Sequence, residues 1–260
     1  MAGEASSGTF LQGLERGLAV IRAFSASAPA LTLSEVAREV GITPATARRI
    51  LLTLEQLGYV RTDGRQFSLT PRVLALGWAY LSSLDLGELA GPFMEELSAA
   101  TRESCSIATL DLPDIVYVAR VPTSRIMTVA LGVGARLPAY PTSMGRVLLA
   151  GLPPADLDAY LADLGAEPLT DRTVVAPEAL RAAITAARAD GYSLVDQELE
   201  LGLRSIAVPI HNSRGRVIAA LNVSAHASRS TPDSLCRDFL PHLHQAATQI
   251  TTALTHRGPL

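Results

Sequence analysis

The stretch TPATARRILLTLEQLGYVRTDGRQFSL, residues 43–69, decides the fold of the first part of the chain. Thr43 has a side chain that caps helices well, and Pro44 would occupy the first helical position, where a missing N–H is of no consequence. The apolar residues that follow have helical spacing (Ala47, Ile50, Leu51, Leu54). The stretch therefore predicts a short helix that begins at Pro44 and ends at Gly58.

The residues on either side of this helix predict the rest of a small domain. Residues 11–24 have apolar side chains at helical spacing, SASAPALT follows as a loop, and a second helical stripe covers residues 32–40 before Gly41. The dipeptide Asp63-Gly64 is typical of a two-residue hairpin turn. The order helix, helix, tight turn, helix, hairpin is that of a winged helix-turn-helix, which we assign to residues 1–70.

The third helix carries two adjacent arginines on its exposed side. With Ala47 at the centre of the buried face, steps of 100° per residue turn Ala45 and Arg49 away from the core and Thr46 and Arg48 to the sides. A solvated helix face would also account for two arginines. Their place in the first half of the helix, next to small residues, favours close approach to base edges in a major groove.

The hairpin adds two further arginines, Arg61 and Arg65, where a wing would reach the DNA backbone or minor groove. We expect phosphate contacts from Thr43 and Arg65, and base or near-base contacts from the helix (Ala45, Thr46, Arg48, Arg49). One such module offers few phosphate contacts, so we expect a dimer on double-stranded DNA.

The chain changes character after a further apolar helix, residues 71–84, which we interpret as a linker and as the place of dimerisation. In residues 85–260 the predicted strands occur in pairs with hairpin-length connections, not in strict alternation with helices. This pattern predicts an α+β domain with a mainly antiparallel sheet. Its predicted elements include a strand over residues 127–133 and one long final helix over residues 231–257.

Composition and motifs exclude several classes of protein. The formal net charge is −3, so any contact with nucleic acid must be local. GxSxG and P-loop motifs are absent, and Cys105 and Cys236 are not in metal-ligand spacing. We therefore predict no catalytic residues, no metal and no cofactor; an enzyme with an appended winged helix is the alternative. The N-terminus does not resemble a signal peptide and no apolar run reaches 18 residues, which predicts a cytoplasmic protein without a membrane partner.

Polar residues inside apolar segments mark a possible ligand site in the second half. Strand alternation in LRSIAVPI places Arg204 on the face of Ile206, Val208 and Ile210. Such a charge needs a partner. Either it forms an internal salt bridge, with Glu198 or Glu200, or it awaits a carboxylate ligand. The strand residue Asn222 raises the same question. The helix start with Thr142, Ser143 and Gly145 is either an anion site or an ordinary capped helix.

Three segments resemble the IclR family of bacterial transcription regulators: SEVAREVGITPATARRILLTLEQLGYV, ARLPAYPTSMGRVLLAG and VDQELELGLRSIAVPIHNSRGRVIAALNVS. The resemblance covers residues 11–256. It implies a winged helix-turn-helix, a linker helix and a GAF-like effector domain, in dimers or tetramers that bind palindromic operator DNA. It also implies an effector pocket between the helix that begins near Ser143 and the adjacent strands (Thr142, Ser143, Met144, Gly145, Asp196, Arg204, Ser205, Asn222).

The segments GLRSIAVPI and RLPAYPTSMGR together resemble one branch of that family, the PcaR, PcaU and PobR-type regulators of aromatic-acid breakdown through the β-ketoadipate pathway. This resemblance implies a small organic acid as effector and favours Arg204 as its carboxylate partner. Glyoxylate-type members commonly have cysteine where Ser205 stands, which argues against a small 2-oxo acid. We therefore interpret the chain as an effector-controlled DNA-binding regulator, a homodimer or tetramer. In a second alternative, residues 85–260 serve only oligomerisation.

Overall fold

A computed structural model of the protein describes residues 10–25, 27–84, 86–123 and 132–256. The chain divides into two compact units, Met1–Tyr80 and Leu81–Leu260. Each unit has a hydrophobic core of its own.

The first unit packs three helices against a three-stranded sheet of order β1-β3-β2. Its core contains apolar residues from all three helices, from β2 and from the segment after α1 (Val20, Phe24, Val36, Ala37, Ala47, Leu51, Leu54, Val60). Its elements in chain order are α1 (Gln12–Arg22), β1 (Ala30–Thr32), α2 (Leu33–Val40), α3 (Pro44–Gln56), β2 (Val60–Thr62) and β3 (Gln66–Leu69). The chain continues through a 3-10 turn (Pro71–Val73) into α4 (Leu74–Leu84).

Side chains cap the two central helices of this unit. The hydroxyl of Thr32 accepts from the backbone N–H of Glu35, whose carboxylate accepts from the N–H of Thr32 at 2.7 Å. Gly41 ends α2 with φ +70°. The Thr43 hydroxyl accepts from Thr46 N–H at 3.2 Å, so α3 begins where its sequence predicts.

The sequence missed two local features of the unit. Residues 30–32 form β1 against β3, whereas we expected a loop there. The hairpin turn lies one residue later than expected. Asp63 N–H donates to Gln66 O at 3.2 Å, which leaves Gly64 and Arg65 as the two turn residues. The reason is that the Asp63 carboxylate accepts from the N–H groups of Arg65 and Gln66, at 2.9 and 2.7 Å.

The second unit is built on a six-stranded sheet of order β6-β5-β4-β9-β8-β7 in which all neighbours are antiparallel. This confirms the predicted α+β class. Its strands are β4 (Ser104–Asp111), β5 (Asp114–Val121), β6 (Arg136–Pro138), β7 (Ser193–Asp196), β8 (Leu203–His211) and β9 (Val217–His226). Its helices are α5 (Leu86–Thr101), α6 (Ser143–Ala150), α7 (Pro154–Asp163), α8 (Pro177–Asp190), a single turn α9 (Pro232–Ser234) and α10 (Leu240–His256).

Helices cover both faces of this sheet. Ile206, Val208 and Ile210 of β8 pack with α5 and α10 on one face, and Ala207 packs with α6 and α8 on the other. This confirms the alternation that the sequence of β8 predicts. We call the second of these the α6 face.

Two elements of the second unit differ from their prediction or lie partly outside the described residues. Residues 127–131 of the predicted strand lie outside the described residues, and Val133 lies in a turn. The final helix runs without a gap from Pro232 to His256, but residues Leu235–Phe239 within it form a π-helical turn. Pro241 explains this, since it has no N–H to donate and its ring crowds the preceding turn. In the described part of the chain, no helix has the length and apolar character needed to cross a membrane.

Candidate functional site

The exposed side of α3 presents the residues expected from its sequence. Ala45, Arg48 and Arg49 are exposed, whereas Ala47 is fully buried. Within the described residues neither guanidinium has a hydrogen bond or an ion pair. The hydroxyls of Thr43 and Thr46 are 2.9 Å apart and bond to each other. Arg48 and Arg49 thus lie on an exposed helix face beside small side chains, without a partner among the described residues.

The β2–β3 hairpin places further cations beyond the end of α3. Arg61 and Arg65 are both exposed. Arg61 Nε donates to Ser68 Oγ at 3.1 Å, so its side chain lies along the hairpin. Arg65 occupies the turn that Asp63 fixes. Hydrogen bonds from the N–H groups of Gln66 and Arg65 hold the pKa of Asp63 below its ordinary value. The turn therefore presents Arg65 on a well-defined backbone.

The strand register of the second unit aligns polar residues in two rows across the α6 face. In the first row the opposite residues are Arg120 of β5, Ser106 of β4, Asn222 of β9 and Ala207 of β8. The next row is formed by Ser104, Ser224 and Ser205, with Val195 at its end. Directly opposite residues of an antiparallel pair point to the same face. These rows therefore bring hydroxyl and amide groups together beneath α6.

A small cavity lies between the start of α6 and these rows. Its volume is about 20 Å³, and its lining includes Tyr117, Ser143, Ser205, Asn222 and Ser224. The hydroxyls of Ser143 and Ser205 bond at 2.9 Å, and Asn222 Nδ2 donates to Ser224 Oγ at 3.1 Å. Asn222 Oδ1 is buried and has no partner among the described residues. A buried acceptor without a partner is energetically unfavourable unless a ligand or water pairs with it.

The structure brings five of the expected pocket residues to this cavity: Thr142, Ser143, Met144, Ser205 and Asn222. The remaining three expected residues do not line it. Gly145 faces the backbone of Ala139, and Asp196 and Arg204 lie opposite each other on the other face of the sheet. Alternation explains the latter, because neighbours such as Arg204 and Ser205 point to opposite faces of β8.

Arg204 has an internal partner, so the expectation that it awaits a ligand is wrong for this geometry. Its Nε donates to Asp196 Oδ1 at 2.5 Å and its Nη2 to Oδ2 at 3.3 Å, while Nη1 donates to the carbonyls of Ala227 and Ser230. The expected partners, Glu198 and Glu200, are also wrong. Asp196 forms the ion pair because the β7–β8 register places it directly opposite Arg204.

The charge of Arg204 also changes the acidity of its partner. Burial acts to raise the pKa of Asp196, but hydrogen bonds from Arg204 and Gln197 and the charges of Arg204 and Arg172 outweigh it, so this pKa is held below its ordinary value. Arg172 Nη1 lies 3.0 Å from Asp196 Oδ2. The Arg204 group is thus a structural cluster that joins β7, β8 and the segment after β9.

Two residues at the start of α6 fix its position. A Cβ on Gly145 would lie 2.0 Å from Ala139 O, so the helix approaches that backbone as only glycine permits. Arg146, which the sequence analysis missed, donates from Nη2 to Glu198 Oε2 at 2.6 Å and from Nε to Tyr140 O at 3.0 Å. The sequence signal was an arginine inside an otherwise apolar helix.

Tyr117, Arg120 and Ser224 of the α6 face were not among the residues expected from the sequence. Burial raises the pKa of Tyr117 to about 12, and the nearby charge of Arg120 acts against that shift. Tyr117 therefore remains a protonated hydroxyl at neutral pH. Alternation along the β5 segment was the available signal, but the register shift between Ile107 and Ala108 alters which β5 residues face α6.

A second and larger depression, of about 710 Å³, lies beside α7. Four carboxylate side chains are part of its lining (Asp114, Asp156, Asp163, Glu167). Like charges would repel an organic acid there. The described lining of the small cavity under α6 includes no carboxylate side chain. Among the described residues, no three His, Cys, Asp or Glu side chains form a group that could hold a metal ion.

A helix-turn-helix with a cationic third helix and an arginine-bearing hairpin defines a winged-helix DNA-binding unit. Joined to an α+β unit with a polar cavity, it defines a one-chain transcription regulator. The family model "IclR helix-turn-helix domain" matches residues 13–64, and "Bacterial transcriptional regulator IclR C-terminal" matches residues 78–252. The chain belongs to the IclR family of bacterial transcriptional regulators. Its relatives are regulators, which confirms the prediction that it is not an enzyme.

Three relatives illustrate the similarity. The Pca regulon regulatory protein of Pseudomonas putida is 48% identical over 93% of this chain and 83% of its own length. The p-hydroxybenzoate hydroxylase transcriptional activator of Acinetobacter baylyi is 37% identical, over 93% and 91%. A crystal structure of an IclR homologue from Microbacterium hydrocarbonoxydans, complexed with 4-hydroxybenzoate, is 28% identical with a TM-score of 0.83, over 93% and 98%.

Proposed function

We propose that the operator affinity of this regulator is controlled by an aromatic hydroxy acid that binds between α6 and the sheet. The buried, unpartnered Asn222 Oδ1 at the cavity carries the proposal, because it calls for a hydrogen-bond donor at that point. The hydroxyl of a hydroxybenzoate is such a donor. Names of relatives support the ligand class, since they refer to the Pca regulon and to p-hydroxybenzoate hydroxylase, and one solved relative holds 4-hydroxybenzoate.

Binding must enlarge the cavity. About 20 Å³ accommodates roughly one water molecule, whereas small-molecule pockets have about 300 Å³ or more. The hydrogen bond between Ser143 and Ser205 joins α6 to β8 directly across the cavity. We propose that the effector replaces this bond with bonds of its own, so that the side chains of Ser143 and Ser205 separate. The effector then favours one arrangement of the protein over another, as ligand control requires.

For DNA binding we assign base contacts to Thr46, Arg48 and Arg49, with Ala45 allowing close approach. Phosphate contacts are assigned to the wing and the helix cap (Thr43, Arg61, Arg65). The assignment is supported by the exposure of these arginines and by the two uncommitted guanidiniums on α3. We propose that the operator is double-stranded DNA and that the protein acts in the cytoplasm.

We propose that the protein acts as a homodimer or a tetramer. Large apolar side chains are exposed on α1 and just before it (Phe10, Leu11, Leu14, Leu18) and on α4 (Leu74, Leu76, Trp78, Tyr80). Exposed large apolar side chains grouped along a helix are typical of an interface. We keep the division into a DNA-binding domain (1–70), a linker helix (71–84) and an effector domain (85–260). Light scattering of the purified chain measures the oligomeric state directly.

Titration calorimetry and thermal unfolding of the full chain test the effector. The panel is 4-hydroxybenzoate, 3-hydroxybenzoate, protocatechuate, β-ketoadipate and benzoate. At about 100 times its Kd, an acid that binds the folded state adds about 2.7 kcal/mol to the free energy of unfolding. We expect the hydroxylated aromatic acids to bind more tightly than benzoate, which has no donor for Asn222 Oδ1. If no acid binds, the proposed effector class is wrong.

A second reading, in which the α+β unit serves only oligomerisation, is favoured by the small volume of the cavity. It predicts that none of the acids changes the melting temperature and that the Asn222→Leu variant binds its operator as the wild type does in every condition. The same titration therefore separates the two readings.

A further inference from the structure

Arg120 occupies the end of the polar row on the α6 face. It is opposite Ser106, and Ser106 is opposite Asn222, so the three side chains project from the same face of β5, β4 and β9. With neighbouring strands about 4.8 Å apart, the Cα atoms of Arg120 and Asn222 are about 10 Å apart. Ser106, which lies between them, has a small side chain, so it does not block a ligand that joins the side chains of Arg120 and Asn222.

The charge of Arg120 has no partner in the part of the chain that the structure describes. Its side chain is half-buried and makes neither a hydrogen bond nor an ion pair there. The other buried or half-buried arginines of this unit are bonded to carboxylates or carbonyls, as Arg146 and Arg204 illustrate. The remaining unpaired arginines among the described residues of the unit are exposed (Arg102, Arg214, Arg216). A half-buried cation without a counter-charge is unfavourable until an anion joins it.

Tyr117 shows that this charge acts within the cavity. Tyr117 lines the cavity, and the positive charge of Arg120 lowers its pKa against the larger effect of burial. Arg120 therefore lies close enough to the cavity lining for its charge to act on Tyr117. The same row therefore has a cation without an anion at one end and a buried acceptor without a donor, Asn222 Oδ1, near the other.

We propose, on the basis of the proposed function, that Arg120 is the residue that pairs with the carboxylate of the effector while Asn222 Oδ1 accepts from its hydroxyl. A guanidinium holds a carboxylate through two parallel N–H donors, which fixes the direction of the acid as well as its charge. The aromatic ring then lies over Ser106 and beside Tyr117. Arg204 cannot take this role, since Asp196 and two carbonyls occupy its donors.

Calorimetric titration of the full-length protein with 4-hydroxybenzoate and with its neutral analogue 4-hydroxybenzamide tests the pairing. We expect the wild type to bind the acid about 10- to 100-fold more tightly than the amide, the range for a hydrogen bond to a charged group. In Arg120→Gln the affinity for the acid falls by a similar factor and that for the amide stays the same, so the preference disappears. Arg120→Lys keeps the charge without the two-pronged geometry, and its loss is smaller.

Arg214→Gln is the matched control, because Arg214 is an exposed arginine of the same unit without a side-chain partner in the described residues; it keeps the wild-type preference. The ligand-free melting temperature shows whether each variant folds. If Arg120→Gln keeps the acid-to-amide preference, or weakens the binding of both ligands equally, Arg120 is not the carboxylate partner. Binding of the acid by the wild type would then still support the proposed function. If the wild type binds neither compound, the proposed function itself fails.

Discussion

Arg146 and Glu198 form an ion pair of 2.6 Å in the interior of the α+β unit, with side chains that are only 5% and 9% exposed. Glu198 Oε2 also accepts from Val174 N–H at 2.9 Å, so the pair joins α6 to two separate loops. A buried charge is tolerated only while its partners remain. The pair therefore fixes the position of the helix that covers the cavity.

Removal of one partner of this pair should be strongly destabilising. We expect Arg146→Met to lower the free energy of unfolding by about 3–5 kcal/mol, because Glu198 is left buried without its counter-charge. The exposed pair of Arg181 and Asp158 is the control, and Arg181→Met should cost less than about 1 kcal/mol. Urea denaturation measures both. Equal losses in the two variants would contradict a special role for the buried pair.

The close approach of Gly145 to the backbone of Ala139 also holds α6 in place. A Cβ there would meet Ala139 O, C and Cα at 2.0–2.6 Å, and backbone atoms cannot give way as a flexible side chain can. We expect Gly145→Ala to lower the free energy of unfolding by about 3 kcal/mol. In the control Gly165→Ala nothing lies within 4 Å of the added Cβ, and the change should stay below about 1 kcal/mol. Wild-type stability of Gly145→Ala would refute the close approach.

The Asp196–Arg204 cluster predicts a pH dependence of stability. The pKa of Asp196 lies below its ordinary value of 3.8 in the folded protein. Its contribution to stability is then fully present above the pKa of the unfolded state and is lost as the pH falls through the folded pKa. Asp196→Asn should therefore be less stable than the wild type at neutral pH, and the difference should shrink below about pH 4. A difference that is constant from pH 7 to pH 3 would exclude this linkage.

The winged helix makes a prediction about selectivity. Arg49→Ala should weaken binding to an operator obtained by selection from random duplexes more than binding to a scrambled duplex, by about 1–3 kcal/mol of discrimination. Arg65→Ala should weaken both nearly equally and lower the salt slope by about one. Fluorescence anisotropy at several salt concentrations measures these effects, with Arg214→Ala as a control outside the winged helix. An equal loss on both duplexes in Arg49→Ala would rule out base reading.

Local chemistry made the first unit predictable from sequence. Thr43, Pro44 and Gly41 specify helix ends through their own backbone preferences, and the apolar spacing of α3 specifies its buried side. The hairpin turn moved by one residue because the Asp63 side chain bonds two amides, a choice between closely similar turns. Structure that depends on contacts between residues close in the chain can therefore be predicted from the sequence. The choice between two turns of nearly equal energy cannot.

The cavity was less predictable, for reasons that Arg204 illustrates. The alternation of side chains along β8 correctly predicted the face on which Arg204 lies. By the same rule, the neighbours Arg204 and Ser205 point to opposite faces and cannot line the same pocket. The pocket inferred from resemblance included both residues and so was partly wrong. The partner of Arg204 and the row that joins Arg120 to Asn222 depend on strand register, which is set by the whole sheet.

Replacement of Asn222 should affect effector binding without lowering the stability of the fold. Replacing a buried, half-satisfied amide by an apolar side chain of similar size removes an unpaired acceptor, so Asn222→Leu should leave the free energy of unfolding within about 1 kcal/mol of the wild type or raise it. The same change removes the proposed partner of the effector's hydroxyl. Chemical denaturation and calorimetry with 4-hydroxybenzoate should show an intact fold with lost binding. Marked destabilisation of the ligand-free variant would mean that Asn222 is structural.

The most direct test of the whole account is operator affinity measured with and without saturating 4-hydroxybenzoate, for the wild type and for Asn222→Leu. We expect the acid to change the wild-type Kd for the operator by about 5-fold or more, the usual lower range of allosteric coupling, and to leave that of the variant unchanged. A wild-type Kd that does not respond to the acid, or a variant that responds as the wild type does, would contradict effector control through this cavity.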